Sequence, residues 1–147
     1  MLPWRCPVPE PGVPAKDLSD LMVLAMTILG EAEGECDLGK LAVGWVVRNR
    51  KKDRRWPDTT TGVCLQPMQF SCWNTGSPRI RVMKAPVSHT TEAAWDECFF
   101  AAIGAEFAVE MDPTNGANHY HTTAVEPYWA DNDKVTLRLG DHIFYKL

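Results

Sequence analysis

The chain has 147 residues, a formal net charge of −4 at pH 7, 45% hydrophobic residues and 23% charged residues. This length accommodates one domain whose core needs no disulfide or metal, and the composition excludes disorder along most of the chain. An acidic balance argues against nucleic acid, which demands a basic face, and the apolar runs are too short to span a bilayer, so neither is expected as a partner.

Residues 1–16 hold five of the eleven prolines and read as an extended N-terminal arm ahead of a single domain over residues 17–147. The first seven residues, broken by Pro3 and Pro7, do not form a secretory signal, so synthesis in the cytoplasm without a signal peptide is expected. Asp17 or Ser19 offers an N-cap for a first helix reaching about Glu33. On a helical wheel Leu21, Leu24, Ala25 and Ile28 form one stripe, and Glu31 continues it. A carboxyl at the inner end of a buried helix is partly shielded from water and suits a general acid. Glu33 falls on the opposite face and Glu35 beyond Gly34, so both are expected to be solvated.

Asp37 caps a second helix over 38–51, with Leu38, Leu41, Ala42, Trp45 and Asn49 on one stripe. Asn49 is expected to be a buried amide bonded to loop backbone, and the basic run Arg48, Arg50, Lys51, Lys52, Arg54 and Arg55 a solvated helix end. Residues 61–74 alternate in short pieces and predict a small hairpin, followed by an irregular connection over 75–87. A third helix starts among Ser88, Thr90 and Thr91 and reaches about Glu110, with Trp95, Cys98, Phe99, Ala102 and Glu106 inward. Two strands, 135–139 and 142–145, meet at the turn-forming pair Gly140-Asp141. The class is α+β, a mainly helical body with a small antiparallel sheet. The five cysteines include no C-x-x-C pair and read as reduced thiols, with a Cys64 to Cys72 bridge across the expected hairpin left open.

Five segments occur in a telling order: Gly30-Glu31-Ala32-Glu33-Gly34-Glu35, Ala42-Val43-Gly44-Trp45-Val46-Val47-Arg48-Asn49-Arg50, Trp56-Pro57-Asp58, Gln66-Pro67-Met68-Gln69-Phe70-Ser71-Cys72-Trp73 and Gly140-Asp141-His142-Ile143-Phe144-Tyr145. Together they resemble the bacterial cell-wall hydrolase family typified by the catalytic domain of spore cortex-lytic enzymes. The resemblance implies a lysozyme-like fold over a catalytic domain and an enzyme that cleaves peptidoglycan glycan strands between N-acetylmuramic acid and N-acetylglucosamine. It places the catalytic acid at Glu31. The family's G-E-A-R-G-E is here G-E-A-E-G-E, which sets a second negative charge, Glu33, beside Glu31. Without the wall-binding module and signal of spore members, a compact phage lysin or virion-associated lysin acting on the bacterial cell wall is expected.

Glycosidic cleavage needs a proton for the bridging oxygen and relief of positive charge at the anomeric carbon. No second carboxyl shares a helix face with Glu31, and the resemblance points to one glutamate acting as acid and then base, as in a lytic transglycosylase; muramidase-type hydrolysis is kept beside it. A sugar polymer needs aromatic platforms and amides, and the expected substrate-binding residues are Gln69, Phe70, Ser71, Trp73, Asn74, His119, Tyr120, His121 and Trp129. No cofactor or metal is required, and the protein is expected to act on glycan strands as a monomer.

Two other readings compete. His89 and Asp96, seven apart, with His119 and His121 on one strand face, resemble the pattern of zinc peptidoglycan peptidases, although Glu92 stands where that pattern has glycine. A non-catalytic virion or wall-binding protein is the other.

Overall fold

The computed structural model describes residues 5–147; residues 1–4 of the expected arm lie outside the described residues. Six α-helices and a three-stranded sheet follow one another: α1 (Asp20–Ala32), α2 (Asp37–Lys51), α3 (Thr60–Leu65), α4 (Arg79–Lys84), α5 (Pro86–His89), α6 (Glu92–Glu106), then β1 (His119–Thr122), β2 (Val135–Leu139) and β3 (His142–Tyr145). The α+β class is as expected, and so are the two strands joined at Gly140-Asp141.

The α1 helix is the centre. Ser19 caps it by accepting from Met22 N (3.2 Å), one of the backbone donors a helix start leaves unpaired, a contact worth about 1 kcal/mol. Val23, Leu24, Ala25, Met26, Ile28 and Leu29 are almost fully buried, so α1 is apolar nearly all round and is enclosed by α2, α3, α4 and α6. The third predicted helix starts within the expected group, capped by Thr91 (Ala94 N to Thr91 Oγ1, 3.0 Å), but stops at Glu106 rather than about Glu110, and Ala108 beyond it turns the chain at φ 51°. Its inward residues Trp95, Cys98, Phe99 and Ala102 are buried as predicted. The arm lies along α6: Cys6 is buried, Trp95 Nε1 donates to Pro7 O (2.8 Å), and Arg5 pairs with Glu92.

Between residues 48 and 87 three expectations are corrected. Residues 61–74 form no hairpin but α3 and a 3-10 turn, Ser71–Trp73, because Thr60, Val63 and Cys64 bury at helical spacing and Thr59 caps them. The expected irregular link contains α4 and α5, whose prolines, Pro78 and Pro86, stand at helix starts where a missing N–H costs nothing. Within the basic run Arg50 is buried, 5% exposed, and its Nε donates to Asn118 O (2.7 Å). Arg48 and Lys51 also face inward, donating to Glu106 O and the Glu106 carboxylate, which ties the end of α2 to the end of α6.

The sheet has the order β1-β3-β2, all antiparallel, pairing His119 with Tyr145, Tyr120 with Phe144 and Thr122 with His142. Gly140 turns the hairpin at φ 57°, and the Asp141 N–H beside it donates to Glu35 Oε1 (3.1 Å). Glu35 is thus a tether between the α1–α2 elbow and the sheet, not a solvated acid. Asn49 bonds to loop backbone as predicted, donating to Ala117 O (2.9 Å), but it is half-buried rather than buried and also donates to Asp112 Oδ2 (3.0 Å). All five cysteines are free thiols and all but Cys36 are buried. Among the described residues no helix is long and apolar enough to cross a membrane.

Candidate active site

The end of α1 delivers Glu31 to the surface where the 3-10 turn and β1 converge. Gly30 makes that convergence possible. A Cβ there would stand 2.5 Å from Met83 Sδ and 2.7 Å from Cys72 Cβ, so the turn reaches the helix only because no side chain intervenes. The approach brings Cys72 N to 3.1 Å and Ser71 Oγ to 3.4 Å from Glu31 Oε2. From the other side Tyr120, on β1, donates its hydroxyl to Glu31 Oε1 at 2.5 Å. Both carboxyl oxygens are therefore aimed by donors from separate elements.

Burial, with the Glu31 charge beside it, pushes the Tyr120 phenol well above its usual range, so it remains a donor at any ordinary pH. The Cys72 thiol is raised for the same two reasons and is no nucleophile. Tyr120 is held in turn by rings: Phe70 at 6.3 Å, Phe144 at 5.6 Å and His142 at 5.0 Å, centroid to centroid. His142 is buried, and burial lowers its pKa although Glu35 Oε1 stands 3.6 Å from Nδ1.

Two open hollows meet at Glu31. One, of about 640 Å³, is lined by Gly30, Glu31, Glu33, Arg79, Thr90 and Thr91 among others. The second, of about 440 Å³, is lined by Gly30, Glu31, Ser71, Asn74, Ser77 and Arg79 among others. A carboxyl where two hollows join can reach an extended chain lying through both.

Glu33 departs from its expected solvated state. Burial opposes its charge, but the Thr90 hydroxyl (2.6 Å) and the Arg79 guanidinium outweigh that and hold its pKa below the usual carboxylate range. Its charge is answered locally rather than imposed on Glu31. Arg79, which the sequence reading missed, also donates to Leu29 O (2.9 Å), supplying positive charge at the C-terminal end of α1.

The other predicted residues divide. Ser71 and Asn74 line the second hollow and Tyr120 holds Glu31. Gln69 and His119 lie beside Arg50 and Trp56, with Trp129 packed against His119: Arg50 Nη1 donates to Gln69 Oε1 (3.3 Å), and the His119 ring lies 5.7 Å from Trp56 and 4.9 Å from Trp129. Trp73 gives its indole N–H to Thr27 Oγ1 (2.9 Å), clamping the turn to α1. Phe70 and His121 are corrected. Phe70 is 2% exposed in the core, and buried His121 spends Nδ1 on Thr122 O and Nε2 on the Tyr145 hydroxyl, each at 2.7 Å. Asn118 is likewise structural, bonded to Leu147 through both amide atoms. His89 is exposed at the end of α5, and among the described residues no group of three or more His, Cys, Asp or Glu side chains could hold a metal ion.

Burial, then the nearby charges of Arg50 and Arg55, lower the His119 pKa from 6.5 to about 4. The unfolded chain takes up this proton below about pH 6.5 and the folded chain does not until about pH 4, so the contribution of His119 to stability is complete above 6.5 and disappears as pH falls towards 4. Histidine NMR titration should show His119 changing near pH 4; a midpoint above 6 would contradict its burial between two indoles.

A family model described as Cell Wall Hydrolase matches residues 34–145, a stretch that begins just after Glu31. The spore cortex-lytic enzyme of Halalkalibacterium halodurans is 28% identical over 127 residues, 86% of this chain and 34% of that protein, so the chain spans about a third of that relative's length. The crystal structure of the catalytic domain of the Bacillus cereus SleB protein superposes with a TM-score of 0.62 at 25% identity, covering 94% of this chain and 95% of that one. The catalytic domain of the germination-specific lytic transglycosylase SleB from Bacillus anthracis gives 0.63 at 25% identity, covering 93% and 99%. With most of its length matched by the family model and its fold shared with those catalytic domains, the chain belongs to the cell wall hydrolase family.

Proposed function

We propose that this protein is a peptidoglycan glycosidase that cuts the glycan strand between N-acetylmuramic acid and N-acetylglucosamine, with Glu31 as the catalytic acid and base. The observation that carries the reading is the placement of Glu31, a carboxyl aimed by Tyr120, Cys72 N and Ser71 at the junction of two open hollows. The family supports it, as does the lytic transglycosylase activity given for the Bacillus anthracis relative.

In the first step Glu31 protonates the bridging oxygen and the leaving sugar departs from the anomeric carbon. In the second the Glu31 carboxylate removes a proton from the C6 hydroxyl of the muramic residue, whose oxygen closes on the anomeric carbon as a 1,6-anhydro end. Tyr120 and Cys72 N donate to Glu31 throughout and fix which way its oxygens point. Among the described residues lining the hollows the other carboxyl is Glu33, already engaged by Arg79 and Thr90, so one free carboxyl serves both steps. This arrangement favours transglycosylation over two-carboxyl hydrolysis. Gln69, His119 and Trp129, with Ser71 and Asn74, are proposed to contact the strand; the site of action is the bacterial cell wall.

Mass spectrometry of products from purified sacculi tests the reading. Anhydromuramyl ends are the expected result; reducing ends would mean hydrolysis, and intact glycan would remove the glycosidase assignment.

A further inference from the structure

Arg79 stands on the wall that the two hollows share. Its hydrogen bonds to Leu29 O and Glu33 both leave from one nitrogen, Nη2. Nε and Nη1 have no hydrogen bond among the described residues, and 34% of the side chain is open to solvent. A guanidinium carries five N–H donors, and its Nε–H and Nη1–H bonds leave different edges of the plane, so the two free nitrogens of Arg79 offer separate charge-assisted hydrogen bonds. Glu33 takes neither of these two donors, since one of its oxygens accepts from Nη2 and the other from Thr90. Among the described residues lining the two hollows, Arg79 is the one Lys or Arg.

On the glycosidase reading above, on which this inference rests, the muramic residue supplies the anomeric carbon over Glu31. What distinguishes that sugar from N-acetylglucosamine is the lactyl ether on C3, two ring bonds from the reacting carbon. The arm ends in a carboxyl group, free when no peptide is attached and an amide when one is; an attached stem peptide brings a glutamate α-carboxylate instead. A strand in contact with Glu31 presents this arm to the hollow walls. We infer that Arg79 determines substrate specificity by donating a charge-assisted hydrogen bond, from its unengaged Nε or Nη1, to a carboxylate on the C3 arm of the muramic residue. A neutral arm leaves these donors to water.

The test uses defined glycan oligosaccharides in two pairs: lactyl carboxylate against lactyl methylamide, and stem peptide with free against amidated glutamate α-carboxyl. Affinities are measured by calorimetry on the Glu31→Gln protein, so that strands stay intact, with and without Arg79→Gln, and kcat/KM is measured on otherwise wild-type protein. In at least one pair the carboxylate should bind about tenfold more tightly than its amide, the scale of a partly exposed charge-assisted pair. The pair that shows the preference identifies the source. Arg79→Gln should erase the preference while neutral ligands bind within about twofold, and Arg79→Lys, which keeps the charge at the end of α1 but cannot hold Leu29 O, Glu33 and a ligand in the same planar geometry, should restore part of it. No preference in either pair, a preference that survives Arg79→Gln, or equal weakening for charged and neutral ligands would overturn the inference. If the preference holds yet wild-type protein cuts no strand, the carboxylate site stands and the glycosidase reading fails.

Discussion

Glu31→Gln is expected to lower product release from sacculi by about a thousandfold, within the range for losing a group that both donates and removes a proton. The amide keeps the length and planarity of the carboxyl and still accepts from Cys72 N, so the local geometry survives. What disappears is the ability to give a proton to the leaving oxygen and take one from a hydroxyl. Thermal unfolding should stay close to that of the parent, because Glu31 lies at the rim of the core and its neighbours keep their packing. Release within threefold of the parent, by a folded protein, would remove Glu31 from the chemistry.

The second large effect is on folding. Gly30→Ala places a methyl group 2.5 Å from Met83 Sδ and 2.8 Å from Cys72 Sγ, both on buried residues with little room to retreat. Alanine is the better helix former by about 1 kcal/mol, but overpacking a tight core costs about 1–3 kcal/mol and here meets two elements at once. A net loss of about 2 kcal/mol is expected, a fall in Tm of roughly 4–8 °C for a chain of this size. Activity should fall further than stability, by about tenfold or more, because the displaced segment carries the Cys72 N–H that aims Glu31. An unchanged or raised Tm would show that the turn can withdraw freely.

Much of this arrangement was legible from residue spacing, where spacing is what folding uses. The stripe that ran from Leu21 to Ile28 carried Glu31 to the correct end of α1, and the Gly140-Asp141 pair marked the hairpin between β2 and β3. Short elements were harder. Thr60, Val63 and Cys64 bury at i, i+3 and i+4, a helical signal in only six residues that also alternate well enough to pass for strand. Arg50 lies four residues beyond Val46 and three beyond Val47, on a buried face, and its charge concealed that position. Arg79 left no local sign, since its partners Leu29 and Glu33 are 50 and 46 residues earlier. Phe70 and His121 were misplaced because an aromatic in a loop-rich stretch looks alike whether it faces a ligand or the core, and only the tertiary fold turned them inward.

The position of Glu31 on α1 has a consequence for how the protein fails. Many proteins carry functional groups on segments that open locally at a fraction of the global unfolding free energy. Here the acid sits one turn from Ile28, on the helix that α2, α3, α4 and α6 all enclose. The last turn cannot detach without uncovering the centre of the molecule, so heat or denaturant should extinguish Glu31 and the hydrophobic interior in one cooperative event, with no inactive yet folded intermediate between them.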